Sequence, residues 1–458
     1  MQTVKTSIIP VKPQYVGIED EIDHKAICFF AATNFFLGSD TYYKGKKCLL
    51  PGTEYEIENN RIISEKKWFE WSYEPRVISF EQTLEEFSTL FENITDKALS
   101  GKKIILPISG GLDSRSQAAA IAGWENVYSY SYQYPNGVNE TGIAEKVAKE
   151  AGFEFDKFFI PKGYLWDKID HVAQLIDYSG DVTSPRQAAV ISKIKNKGDV
   201  LYLGHWGDVF FDDMGISEDA SDEQVLEHLK KKILKKGGVE LAKELWEVWG
   251  LEGDFENELD SRLDELLSEI KIDNNNARIR AFKSLYWAPR WTSVYLSVFA
   301  DAFPLALPYY DDRMCKFITT VPEKYLAGRK MQIEYIKQKS EKIASVEWQP
   351  YAPYNLYNYD RYLSKANLVR RGYRKIKRIL SVQSLIQRNW EVQFLGAENE
   401  KALKNILFGN DKFNMLLPEE LVSKYYTKFK DEDHQGKVQR FHQVTTLLTL
   451  SMFAKHKL

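Results

Sequence analysis

Between residues 79 and 210 the apolar positions fall into a repeating pattern. Leu84, Phe87, Leu90, Phe91, Ile94 and Ala98 recur at three- and four-residue spacing, which predicts a helix with one apolar face. Ser100 and Gly101 provide its stop. Short apolar runs then alternate with helical stretches. Strands are predicted over 103–108, 127–132, 153–160 and 200–203, and helices over 113–123 and 139–152. Helical patterns also run up to residue 177 and over 184–194. Repeated βα units at this spacing predict an α/β fold built on a doubly wound parallel sheet. In such sheets ligands sit outside the carboxyl ends of the strands, which draws attention to the loops after Ile108 and Leu203.

The flanks read differently. Residues 1–78 carry short apolar runs and turns such as Pro51-Gly52 and Asn59-Asn60, predicting a small β-rich domain. The sheet domain is expected over 79–350, with a charged helical insertion at 218–275, and a helical region over 351–458. The basic stretch Arg370, Arg371, Arg374, Lys375, Lys377 and Arg378 reads as a solvated helix face, or as a site for an acidic partner or membrane surface.

Composition narrows the classes. Hydrophobic residues make up 44% and charged residues 28%, ordinary for a soluble globular chain. A net charge of −3 gives no reason to expect nucleic acid as the main partner. Cys28, Cys48 and Cys315 show no metal-ligand or CxxC spacing, so reduced thiols and a cytoplasmic location are expected. The sequence offers neither an 18-residue apolar run nor a charged-then-apolar leader, so no membrane span is predicted.

The chemistry concentrates where the first predicted strand ends. Ser109, Gly110, Gly111, Leu112, Asp113 and Ser114 (SGGLDS) form a glycine turn leading into a helix. A strand feeding such a turn points several backbone N–H groups and the positive helix end at one spot, which suits phosphate. There is no Walker lysine. An aspartate lies inside the loop instead, suggesting Mg²⁺ between Asp113 and the phosphates. The plainer alternative is a helix start with Asp113 and Ser114 as capping residues. The loop after Leu203 repeats the arrangement: Gly204, His205, Trp206 and Gly207, then Asp208. Two carboxylates at neighbouring strand ends are able to chelate one metal on a triphosphate, and Asp113 and Asp208 are the expected pair.

These segments resemble the synthetase domain of the B-type, glutamine-dependent asparagine synthetases and their relatives, an adenine nucleotide α-hydrolase-like fold, over roughly residues 35–350. SGGLDS matches that family's pyrophosphate loop in full. The second loop matches in part, with Gly204 and Asp208 in place but His205 and Val209 where the family has glutamates. Leu307, Pro308, Tyr309, Tyr310 and Asp311 are similar to its proline–aromatic–aspartate segment, Thr320, Val321 and Pro322 to the turn after it, and Leu49 to Thr53 to a late glutaminase turn. The resemblance implies ATP and Mg²⁺ as cofactors. Ser109, Gly110, Gly111, Asp113 and Ser114 would hold the pyrophosphate, Asp113 and Asp208 the metal. Backbone near Leu106, Ser131 to Gln133 and Gly204 would contact adenosine. Glu140 fits a family glutamate, or else complements a helix dipole.

Departures from the family shape the expected function. Position 2 is Gln2 rather than the glutaminase cysteine, and residues 1–78 are too short for that domain, so no glutamine hydrolysis is expected. His205 either takes a proton from an attacking amine or only hydrogen-bonds a neighbour. The family's pyrophosphate-contacting lysine has no counterpart in Ser345 to Pro350. Lys330, Lys337 and Lys342 are the candidates, Lys330 first. The expectation is a ligase that adenylates a small-molecule or peptide carboxylate and forms an amide with ammonia or an amine, supplied free or by a separate amidotransferase. The alternatives are a degenerate nucleotide-binding relative, or another pyrophosphate-loop enzyme.

Overall fold

The computed structural model describes residues 1–137, 139–364, 367, 386, 389–434 and 441–458; the basic stretch from Arg370 to Arg378 lies outside them. Strands β1 (Gln2–Lys5), β2 (Tyr15–Gly17), β3 (Lys46–Cys48), β4 (Thr53–Glu58) and β5 (Arg61–Lys67) open the chain. They form an antiparallel sheet in the order β1-β4-β5 and a separate β2-β3 pair. Between them lies the helix His24–Thr33, which the sequence pattern did not predict. Its residues from Ala26 to Thr33 are all buried, so it has no polar face and no 3.6-residue signal to read. Phe29, Phe30, Phe35 and Phe36, on this helix and just past it, belong to the same hydrophobic core as the large sheet.

That sheet contains β6 (Ile104–Pro107), β7 (Val127–Gln133), β8 (Glu154–Phe159), β9 (Val200–Tyr202) and β10 (Leu305–Ala306), all parallel. Ile104, Ile105, Leu106, Leu201 and Tyr202 are fully buried, which is why these strands read as continuous apolar runs rather than alternating ones. The order across the sheet is β10-β9-β6-β7-β8, so the direction of winding reverses between β6 and β9. A crevice opens at such a reversal, outside the carboxyl ends of the two strands. The helix before β6 spans Phe80–Leu99 and starts on a capping box between Ser79 and Gln82. The strand β10 had no signal in the sequence, being only two residues long.

Departures are local. The helical pattern over 184–194 breaks into a 3₁₀ turn, Arg186–Ala189, and a single α-turn, Ile191–Ile194. The insertion forms three helices, Asp222–Ile233, Gly238–Val248 and Phe255–Ser268, and Lys283–Thr292 winds as a π-helix. Among the described residues no helix is long and apolar enough to cross a membrane. All three cysteines are buried and unpaired.

The last helix, Phe441–Lys457, is buried along most of its length and carries His442 into the core. There the His442 Nε2–H donates to the Ala31 carbonyl at 3.2 Å, and burial lowers the imidazole to about 4. A histidine held neutral in the folded state but free to protonate when unfolded takes stability away as pH falls through 6.5 toward that value. Going from about pH 7.5 to about pH 5 should therefore cost about 2 kcal/mol through this residue. Thermal melts of wild type and His442→Gln at the two pH values check it. The variant's midpoint should fall less with acid, and equal slopes would refute the assignment.

Candidate active site

The SGGLDS loop follows β6 directly, and the helix Asp113–Ala120 starts inside it. Its cap residue, Leu112, offers no side-chain bond to the first turn, so the N–H groups there are left for another acceptor. Asp113 and Ser114 do not cap it. The Ser114 hydroxyl instead accepts from the Ser109 N–H at 3.0 Å and lies 3.1 Å from the Ser109 hydroxyl, closing the turn on itself. The Ser109 hydroxyl in turn accepts from the Gly111 N–H at 3.2 Å. Leu106, three residues before the loop proper, is fully buried between neighbouring strands, so only its backbone is able to face a ligand.

The second loop lies against the first. A Cβ on Gly204 would come within 3.0 Å of Asp113 Cβ, and one on Gly207 would strike the Asp113 carboxylate and the Tyr309 ring. Both positions therefore require glycine, and the reason is close approach rather than backbone conformation. Between them Trp206 sits at φ 82, an unusual conformation for a bulky residue, and its indole N–H donates to Ser284 at 3.0 Å. The turn then runs into the short helix Gly207–Phe210, which places Asp208 at the exposed edge of the crevice. Arg280, buried, fixes this helix by donating to the carbonyls of Val209 and Asp212 while pairing with Glu323.

Asp113 is half-buried, and its carboxyl is held above the usual carboxylate range. Burial is the main cause, Asp208 adds to it, and the Arg329 guanidinium opposes it. Arg329 pairs directly with the Asp113 carboxylate, and the Gln332 amide donates to the same oxygen at 2.9 Å. Gln332 also donates to the Tyr309 hydroxyl at 3.0 Å, which links the loop to the Leu307–Asp311 segment. Arg329 itself stands at φ 61, after Gly328, whose N–H donates to Asp212 at 2.9 Å. The turn that presents the guanidinium is thus pinned to the second loop.

Lys330, the sequence choice for a pyrophosphate cation, is not at the loop. It is exposed, and its ammonium sits 4.2 Å from the centre of the Phe80 ring. Lys337 pairs with Glu334 at 2.9 Å, and Lys342 is exposed. The cation beside Asp113 is Arg329, one residue earlier than expected. The segment after it also takes part. Gln349 covers Gly110 so closely that a Cβ there would overlap it, and the Gln349 N–H donates to the Gly110 carbonyl at 3.3 Å. Arg115, fully buried on the loop's own helix, holds this cover by donating to the carbonyls of Val346 and Glu347, both at 2.8 Å. Glu140 precedes the helix Thr141–Ala151 without a capping bond.

The two loops open into a cavity of about 1030 Å³ lined by Ser109, Asp113, Ser114, Gly204, His205 and Asp208, among others. His205 presents a fully buried Nδ1 without a partner, and burial lowers its imidazole to about 4, against the pull of Asp208. It is therefore neutral at neutral pH and keeps a ring nitrogen to offer. Of the site residues expected from sequence, Ser109, Asp113, Ser114, Gly204, His205 and Asp208 line one cavity, while Leu106, Gly110, Gly111 and Lys330 are not in its lining. Beyond the loops the cavity continues into a chamber walled by Lys235, Lys283, Trp287, Trp291, Tyr295 and Trp390, none of which the sequence marked out.

The donors present suit a magnesium ion shared with phosphates. Mg²⁺ commonly takes one or two carboxylates and fills its remaining positions with water and phosphate oxygens. Asp113 and Asp208 interact across the crevice, and among the described residues no group of three or more His, Cys, Asp or Glu side chains gathers to form an all-protein cage.

No family model matches the chain, and no curated protein does. Among solved structures the chain is similar to the NMN synthetase from Francisella tularensis, at 13% identity, covering 45% of this chain and 93% of that one with a TM-score of 0.22. A likeness at that level carries no argument about this chain.

Proposed function

We propose that this chain is an asparagine-synthetase-like, ATP-dependent ligase on a doubly wound sheet, which adenylates a carboxylate and passes the acyl group to ammonia or an amine. The observation that carries the reading is the pairing of a glycine loop, whose helix lacks a side-chain cap, with two carboxylates lining one cavity at the point where the strand order reverses. Ser109, Gly110, Gly111 and Ser114 would take the phosphates through backbone and hydroxyl donors, exchanging the bonds that Ser109 and Gly111 make within the loop. Leu106 and Gly204 would contact adenosine through their backbone.

Asp113 and Asp208 would hold Mg²⁺, which when bound offsets the negative charge of the triphosphate. In the first step the carboxylate oxygen attacks the α-phosphorus, the bond to the bridging oxygen breaks, and pyrophosphate leaves. In the second the amine attacks the acyl carbon, AMP leaves, and a proton is lost from nitrogen. Positioning the carboxylate in line is worth roughly 7–11 kcal/mol in well-aligned systems. Arg329, released from Asp113, would meet the charge on the departing pyrophosphate. His205, neutral and among the residues lining the cavity, would act in the second step as a hydrogen-bond or proton acceptor.

Exchange of labelled pyrophosphate into ATP, measured with Mg²⁺ and a broad panel of carboxylic acids, tests the first step. At least one acid should support exchange. Nucleotide binding with no exchange for any acid would instead favour a degenerate, nucleotide-binding relative. If His205→Gln lowers amide formation and exchange equally, its role in the second step is lost.

A further inference from the structure

The chamber beyond the loops holds two lysines whose placement is unusual. Lys283 lies 5.8 Å from the centre of the Trp206 ring and 5.1 Å from that of Trp287. Lys235 lies 3.6 Å from the Trp291 ring and 5.9 Å from Trp287. Both are largely buried, and burial lowers each to about 8. Among the described residues neither ammonium makes an ion pair or a hydrogen bond. Their nearest acids act only at a distance: Asp208 on Lys283, Asp181 on Lys235. The Asp181 carboxylate is engaged by the Thr183 N–H at 2.7 Å. A buried ammonium without an anion is costly, and rings alone recover part of that cost.

Both lysines approach one indole, that of Trp287, and their other neighbours differ. Lys283 is beside Trp206 and near Asp208. Lys235 is beside His442, whose imidazole it influences. Trp287 is the ring they share, and it is backed by Phe35, stacked at 6.0 Å with an interplanar angle of 8°, so its position is fixed from behind. Further along the wall, Asn389 Oδ1 and Trp390 Nε1 are buried and, among the described residues, without hydrogen-bond partners. The chamber therefore offers a cation, a flat ring-sized surface, a second cation and unused hydrogen-bonding groups.

We infer that the acid activated at this site carries a second anionic group, phosphate or carboxylate, on a ring-sized body that lies on Trp287, with the reacting carboxylate at Lys283 and the second anion at Lys235. The inference rests on the ligase reading for the identity of the reacting end, but the binding it describes is measured without nucleotide. Calorimetric titration of the full-length protein with 4-carboxyphenyl phosphate and with glucuronate 1-phosphate, each against benzoate and glucuronate, reads it directly. The doubly charged probes should bind at least about tenfold more tightly than their singly charged counterparts, a step of one factor of ten in the constant. The pair of ring types separates an aromatic from a sugar body.

Lys235→Met should erase the advantage of the second anion while benzoate and glucuronate bind as before, and Lys235→Arg should restore it. Lys283→Met should weaken singly and doubly charged probes alike. Removing an unpaired buried charge does not lower stability, so the Lys235→Met midpoint should equal or exceed that of the parent. Equal affinity for singly and doubly charged probes, an advantage that survives Lys235→Met, or no binding of any probe would each overturn the inference. Loss of pyrophosphate exchange with probe binding intact would instead overturn the ligase reading alone.

Discussion

Replacing Asp113 by alanine should lower pyrophosphate exchange by about 10³-fold and remove the magnesium dependence of ATP binding. The side chain has two duties, and alanine ends both. It is one of the two carboxylates proposed to hold magnesium, and it is the partner that Arg329 and Gln332 share. Burial already holds its carboxyl above the usual range, so the ionised form depends on nearby positive charge, which Arg329 provides in this structure. Asparagine at 113 separates the duties. It keeps the volume and still accepts from Gln332, but it brings no charge, so exchange should fall nearly as far as in the alanine variant. ATP affinity that is unchanged in both variants, with and without magnesium, would contradict the loop assignment.

Arg329→Met should lower the rate of exchange about 10²-fold with a much smaller change in the KM for ATP. A cation that stabilises charge arising in the transition state affects kcat rather than ground-state binding. Arg329→Lys should recover part of the rate, because the charge returns without the two-pronged geometry. The same substitutions at Lys330, over Phe80 and away from the cavity, should leave exchange within about twofold, as is usual for surface changes away from a site. A Lys330 variant that loses as much as the Arg329 variant would return the role to the residue the sequence favoured.

The contrast between those two neighbours shows which parts of the site could be read in advance. SGGLDS was legible because its information is local: an apolar run, two glycines and a helix start within a dozen residues. Asp208 was legible for the same reason after β9. Arg329 was not. It meets Asp113 from 216 positions away, and a left-handed arginine after Gly328 leaves no periodic trace. The helix His24–Thr33 escaped because burial on every side removes the polar stripe by which helices are recognised. The lysines of the chamber escaped too. Lys235 lies between two helices of a charged insertion and Lys283 opens a π-helix, and in both places a lysine looks like ordinary surface until the fold encloses it.

The cover over Gly110 has a consequence for the order in which the protein comes into being. During synthesis the chain runs from its N-terminus, so the SGGLDS loop is made more than two hundred residues before Gln349. Until that segment arrives, Arg115 has no carbonyls from Val346 and Glu347 to receive its guanidinium, and Gly110 lacks the cover that Gln349 gives it. A growing or prematurely ended chain thus has the recognisable motif but not the finished pocket. Closure of the loop therefore waits for residues 346–349, and a truncation before residue 346 would leave the Arg115 guanidinium without the carbonyls that receive it.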